Sequence, residues 1–227
     1  GMIKFIDAKG NVVIDLNIPY ITGAEEYVFH NGHCVIHNNK RDKFGLIDKK
    51  GNWMLKAEYD AISPKDSFFV VSKGGMQSVL TENLKPILPF MEADLWISGN
   101  SITATMKDHT LRKYNLQGEL IDDFLISNVD RLLYDTDEIR YTTAKNYDDE
   151  GNLTGETAEA EPTPYQKTAN CKKYEADIGW YGLMSPSGKV ITPPRYCDIT
   201  AIGYDLYLCK TDDIRGEVLN GKGVRIR

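Results

Sequence analysis

Leu46-Ile47-Asp48-Lys49-Lys50-Gly51-Asn52-Trp53-Met54-Leu55 reads as a β-hairpin. Apolar residues flank a centre of Asp, Lys, Gly and Asn, the composition that favours a turn between two strands. The same phrase stands at Phe5-Ile6-Asp7-Ala8-Lys9-Gly10-Asn11-Val12-Val13-Ile14 and again at Leu183-Met184-Ser185-Pro186-Ser187-Gly188-Lys189-Val190-Ile191. Self-similarity at a fixed spacing marks an array of one supersecondary unit.

With the polar residue ahead of each turn as marker, copies fall at Asp7, Asp48, Thr81, Asn115, Asp148, Ser185 and Asn220. The successive spacings are 41, 33, 34, 33, 37 and 35 residues. Asp148 opens a degenerate copy, Asp148-Asp149-Glu150-Gly151-Asn152, halfway along what would otherwise be a double step. Turns are thus expected near 7–11, 48–52, 81–85, 115–119, 148–152, 185–189 and 220–224. Gly10, Gly51, Gly118, Gly151, Gly188 and Gly223 share one register, which points to a position of positive φ. Leu84 holds that place in the third copy, where an altered turn is expected, and Pro86 beside it suits a sheet edge.

Between hairpins lie two further strand-like runs, such as Tyr59–Ile62 with Phe68–Lys73, and Tyr196–Ile199 with Leu206–Lys210. Glu138–Thr143 is a weaker counterpart. One period therefore holds about four short strands and no helix of ordinary length. The expectation is an all-β, propeller-like array of about seven hairpin repeats of roughly 33–37 residues. An open β-solenoid of stacked hairpins is the rival. With no composition break along it, the array is read as a single repeat domain over 1–227. Residues 151–171, with Glu156, Glu159, Glu161, Pro162 and Pro164, read as a long surface loop.

Phe44-Gly45-Leu46-Ile47-Asp48-Lys49-Lys50-Gly51-Asn52 and Trp180-Tyr181-Gly182-Leu183-Met184-Ser185-Pro186-Ser187-Gly188-Lys189-Val190-Ile191 resemble the WG-repeat family, whose repeat opens a hairpin with an aromatic-Gly pair. Pro193-Pro194-Arg195-Tyr196 and Glu58-Tyr59-Asp60 resemble its proline-tyrosine segment. The other copies depart from the pattern, with Ser78, Lys113, Lys145 and Glu217 in the glycine position and Lys4 in the first. The resemblance implies protein interaction or an unassigned role and no enzymatic activity, so it supplies no catalytic residues.

The composition, 41% hydrophobic and 26% charged, is that of an ordinary soluble protein. A formal net charge of −6 disfavours binding to phosphate backbones, which wants basic stripes, and no nucleic-acid partner is expected. Neither an N-terminal apolar segment nor an 18-residue apolar run is present, so no membrane span is expected. With Gly1 read as an added residue before Met2, a cytoplasmic protein is expected, the alternative being an exported one whose native N-terminus was trimmed. Cys34, Cys171, Cys197 and Cys209 lack zinc-type spacing, and Cys34 and Cys209 read as small core residues. On one strand His33 and His37 would stand about 13 Å apart, too far to share a metal. Asp148, Asp149 and Glu150 lack the alternate spacing of a calcium loop. No metal or cofactor is expected.

Asp135, Asp137 and Glu138, beside Arg131 and Arg140, read as a charged loop; nothing places an acid–base partner opposite them. Most aromatics should be core between repeats. A minority at the mouth of the array, with Trp53, Trp96, Trp180 and Tyr165 as candidates, would form an interaction surface, since aromatic side chains anchor interfaces. The expected function is a non-catalytic module that docks an unidentified protein or peptide on one face. Its loops are sought in Glu25–Asn39 and 151–171. The alternative is a carbohydrate-binding or carbohydrate-processing propeller, with tryptophans beside carboxylates in a central pocket.

Overall fold

A computed structural model of the chain describes residues 1–21 and 27–226. The described residues form 21 strands and no helix, hence no helix long and apolar enough to cross a membrane. All seven expected turns are present. In each, the marker residue donates its N–H four residues ahead and accepts a bond from the residue in the glycine register, as with Asp48 N to Asn52 O (3.0 Å) and Gly51 N to Asp48 O (3.0 Å). The side chain adds to this: Asp48 Oδ1 accepts from the N–H groups of Lys50 and Asn52, and Oδ2 accepts from Asn52 Nδ2. Asp7 and Asp148 repeat the pattern. These bonds hold all three carboxyls below their usual range.

The third turn is not altered. Leu84 adopts a φ of 61° and makes the same two backbone bonds as the glycines, whose φ lies between 75° and 88°. Its partly buried side chain packs on the cluster of Val35, Leu46, Ile62, Phe69, Val71 and Leu80, which offsets the left-handed backbone cost of about 1–2 kcal/mol. Leu84→Gly exchanges one term for the other and should leave the urea midpoint nearly unchanged. Leu84→Val keeps the strain and adds a β-branch, so a loss of about 1–2 kcal/mol is expected.

The strands form antiparallel sheets in chain order. The first pairs β1 (Met2–Ile6) with β2 (Val12–Pro19), and the second holds β3 (His33–His37), β4 (Phe44–Asp48) and β5 (Trp53–Tyr59). Two four-stranded meanders follow: β6 (Ala61–Lys65), β7 (Phe68–Lys73), β8 (Met76–Thr81) and β9 (Pro86–Met91), then β10 (Ala93–Ser98), β11 (Ser101–Met106), β12 (Leu111–Asn115) and β13 (Leu120–Leu125). Pro86 opens β9, an edge strand, where its missing donor costs nothing. Four short strands meandering in sequence are the blade pattern expected of a propeller-like array. The fifth sheet runs β14 (Asn128–Asp135), β17 (Gln166–Glu175), β18 (Tyr181–Met184), with β15 (Tyr141–Tyr147) and β16 (Leu153–Ala160) as a separate pair. The sixth is β19 (Asp198–Gly203), β20 (Leu206–Lys210) and β21 (Gly216–Asn220). Bridges at Met184–Val190 and Leu219–Arg225 supply stubs of a fourth strand to the last two sheets.

The sequence reads as one array over 1–227, and the chain divides into two compact units: Gly1–Lys107 with Arg112–Asp123, and Asp108–Leu111 with Phe124–Arg227. Within each unit, consecutive sheets share a core. The apolar doublets before the second, third and sixth turns explain how. Adjacent strand residues face opposite ways, so Leu46 joins the cluster with Ile62 and Phe69 while Ile47 joins Ile3, Ile18 and Cys34. Val79 faces Ala93, Leu95 and Ile102, whereas Leu80 turns back to the preceding cluster. Leu183 packs with Tyr196, Ile199 and Tyr207, and Met184 with Leu111 and Tyr174. Cys34, Cys171 and Cys209 are buried in these cores, and burial pushes the Cys209 thiol up to about 12.

The aromatic-Gly pairs have a steric basis. A Cβ on Gly45 would lie 2.5 Å from Leu55 O, 2.7 Å from Trp53 Cζ3 and 2.8 Å from Ala57 N. On Gly182 it would enter the Tyr174 ring, 2.4 Å from its hydroxyl oxygen. Where the pair lacks glycine, other chemistry fills the position. Buried Ser78 donates to Leu88 O (2.7 Å), and Glu217 accepts from Tyr196 Oη (2.6 Å) and Arg195 Nη2 (2.9 Å).

Candidate functional site

The fifth hairpin differs from its neighbours in place, although its turn chemistry is the same. In the third and fourth sheets the first strand passes to the second by a tight turn, at Asp66-Ser67 and Gly99-Asn100. In the fifth sheet the equivalent connection, from β14 to β17, carries all of residues 136–165, and β15 and β16 are its arms. The pairing of β14 with β17 reaches Asp135↔Gln166, and that of β15 with β16 resumes at Tyr141↔Ala160 in the same register. Two backbone bonds span the interval, Thr136 N to Tyr165 O (3.0 Å) and Glu161 N to Arg140 O (2.8 Å). Pro162 and Pro164 lie between them and have no N–H to give, which interrupts the ladder. The result is one long hairpin, pinched once.

The expected surface loop at 151–171 is therefore corrected. Leu153–Ala160 and Gln166–Glu175 are strands, and only the proline-bearing stretch between them is irregular. Its acidic residues suggested a loop, but they alternate with Thr and Ala, and solvent covers both faces of a two-stranded ribbon. Thr142, Thr143, Thr154 and Thr157 were the signal for strand, since β-branched residues suit a pleated, half-exposed surface.

The two faces of the ribbon are unlike. Alternation places Tyr141, Thr143, Lys145 and Tyr147 on one side, with their partners Ala160, Ala158, Glu156 and Leu153. Tyr141, Tyr147 and Leu153 are 64%, 60% and 54% exposed. The opposite side carries Thr142, Ala144, Asn146, Gly155, Thr157 and Glu159, with Asn146 Nδ2 donating to Thr157 Oγ1. An isolated two-stranded ribbon is marginal in water. Here its base is braced: the Arg140 guanidinium lies 3.3 Å from the centre of the Tyr165 ring, Lys167 meets Glu138 at 2.9 Å, and Gln166 donates to Asp135 at 2.8 Å. Lys167 holds the Glu138 carboxyl below its usual range. A cleft of about 240 Å³ lined by Thr136–Ile139 and Glu161–Pro164 marks the pinch.

The four aromatic candidates divide between the two units. In the first unit, Trp53 on β5 is 42% exposed and sits over Gly45, and Trp96 on β10 is 64% exposed beneath Lys65 (5.4 Å). In the second, Trp180 stacks on His109 at 3.7 Å, next to an Asp177–His109 contact of 3.4 Å, and Tyr165 braces the ribbon base. Among the described residues no ring contact joins any two of them. Tyr141, Tyr147 and Leu153 are the exposed residues that the sequence reading missed. Of the other loop candidate, Glu25 and Glu26 lie outside the described residues, and His33–His37 is strand β3. His37 is fully buried, with Nδ1 2.8 Å from Asn38 O and Nε2 3.1 Å from Tyr27 Oη. Among the described residues no three His, Cys, Asp or Glu side chains converge as a metal site would need.

These features define an all-β sheet-repeat protein with a projecting β-ribbon inserted in one sheet. Residues 44–76 and 181–213 match the family model described as WG containing repeat. They hold the two aromatic-Gly pairs on which the resemblance rests. No curated protein matches the chain. Among solved structures, the computationally designed Ika8 protein is similar at 17% identity, over 87% of this chain and 71% of that one, with a TM-score of 0.30. Hsv2 of Kluyveromyces lactis is similar at 9% identity over 93% and 65%, with a TM-score of 0.32. AztD of Citrobacter koseri is similar at 11% over 98% and 77%, with a TM-score of 0.30.

Proposed function

We propose that this chain is a non-catalytic interaction module that docks a protein or peptide on the β15–β16 ribbon. The observation that carries the reading is the exposure of Tyr141 near the base of one ribbon face and of Tyr147 with Leu153 near its tip, on either side of the facing Lys145 and Glu156, on an element that joins none of the core clusters among the described residues. Exposed aromatics on a braced, extended ribbon are suited to anchoring a partner at low entropic cost. Its β16 arm also lies within 151–171, the segment whose composition first suggested a binding face. The carbohydrate reading needs tryptophans beside carboxylates in a pocket; the clefts at His30–Ser67, Thr136–Pro164 and Arg131–Tyr204 have no tryptophan in their walls. The observations favour the protein or peptide partner.

The test replaces residues 141–160 by a short Gly-Ser turn and compares recoveries from native lysate by mass spectrometry. Excision should leave the thermal transition of the array in place and remove specific partners. Equal recoveries with and without the ribbon would overturn the proposal.

A further inference from the structure

The edges of the ribbon lead one step further, resting on the reading that the ribbon is the docking element. Arg140 accepts a bond from Glu161 across the ribbon. Bonding alternates along an antiparallel strand, so Thr142, Ala144 and Asn146 also bond towards β16. Tyr141, Thr143 and Lys145 then aim their N–H and C=O groups outward, at an edge with no neighbour in its sheet. Natural sheets protect such edges with charge, proline or a covering element. The β16 edge carries Glu156 and Glu159. The β15 edge, Tyr141-Thr142-Thr143-Ala144-Lys145-Asn146-Tyr147, carries one charge, and Lys145 is paired across the ribbon with Glu156.

We infer that the β15 edge pairs with the β15 edge of a second copy of this chain, antiparallel about a two-fold axis at Ala144. Only outward residues can exchange bonds, which restricts the register to steps of two. The Ala144-centred register sets Tyr141 opposite Tyr147 of the second copy, Thr142 opposite Asn146 and Thr143 opposite Lys145. Both ends gain an aromatic cross-strand pair, a favourable class of pair. No charge faces its like. A register centred on Lys145 opposes two ammonium groups, and one centred on Thr143 carries Tyr147 past the end of the facing strand. A two-fold axis normal to the sheet keeps the tyrosine faces on the same side, so their rows run on across the joint. The pairing is isologous and closes as a dimer. The acidic β16 strands lie on the outside of the resulting four-stranded sheet, about 14 Å apart at the usual strand spacing. Pairing through β16 instead would bring the glutamates of two copies together.

Sedimentation velocity across a concentration series, with cysteine cross-linking, tests this. The wild-type chain should populate a dimer. Thr143→Pro removes one outward donor and no bond to β16, and should weaken the dimer by about tenfold or more with an unchanged far-UV spectrum. Ala144→Cys brings two thiols together at a non-hydrogen-bonded pair, where Cα atoms lie about 4.5 Å apart, within disulfide reach. It should give a covalent dimer on mild oxidation, whereas Thr142→Cys, which faces Asn146, should not. A wild-type chain that stays monomeric at its highest soluble concentration would overturn the inference. So would a dimer indifferent to Thr143→Pro, or equal cross-linking at 142 and 144. With the lysate recoveries compared for proteins other than this chain itself, the two proposals fail separately.

Discussion

Gly45→Ala is expected to destabilise the first unit by about 3 kcal/mol, at the upper end of what overpacking costs. Two of the three atoms that a Cβ would strike belong to the backbone of the facing strand, Leu55 O at 2.5 Å and Ala57 N at 2.8 Å. A side chain can rotate away from an intruding methyl group; a hydrogen-bonded strand cannot. Relief would therefore require β4 and β5 to part. That would disturb Leu46 and Ile47, which anchor the cores on both sides of their sheet. Trimming the third neighbour does not help, so Trp53→Ala in the same chain should restore little. Denaturant unfolding of the single and double variants measures both effects, and a full rescue by Trp53→Ala would show that the ring is the obstacle.

Gly182→Ala should cost a similar amount, about 3 kcal/mol, for a different reason. Here all three close atoms belong to the Tyr174 side chain. That ring is fully buried and its hydroxyl donates to Thr192 O at 2.6 Å, so moving it breaks a buried hydrogen bond as well as the packing. Tyr174→Ala alone should lose about 3–5 kcal/mol through the cavity it leaves. The two changes should not add: with the ring gone, the alanine methyl occupies part of the vacated space. A double-mutant cycle showing strong positive coupling is the expected result, and additivity within experimental error would rule out the ring contact as the cause.

The turns were the most legible part of this molecule. Asp-x-x-Gly-Asn places a carboxylate, a positive-φ residue and two backbone donors in one local loop, so short-range chemistry specifies it wherever it stands. The same locality explains what the sequence concealed. Asp148 to Asn152 forms the expected turn, but the turn does not record whether it joins the last two strands of a blade-like sheet or caps an insertion between the first two. That distinction depends on which strands pair at long range, from Asn128 with Glu175 to Asp135 with Gln166. Leu84 was misjudged for a related reason. Its φ of 61° is tolerated because a tertiary cluster holds its side chain. At the candidate site, Tyr165 reads from sequence as a candidate for an interaction surface, whereas its place as a half-buried platform for Arg140 needed the geometry of the pinch. Tyr141, Tyr147 and Leu153 were hidden because they share a face only when β15 pairs with β16, and residues from 151 onward read as loop.

From Leu133↔Thr168 to Asn146↔Gly155 the facing residues keep one register across the pinch, which limits how this insertion can change length. Adding one residue to each arm would rotate every distal side chain to the reverse surface, carrying the tyrosines to the threonine side. Two per arm would preserve the pattern and move the tip outward by about 7 Å. Length variants of this projection should therefore change each arm by an even number of residues, while the sheets beneath it keep their own spacing.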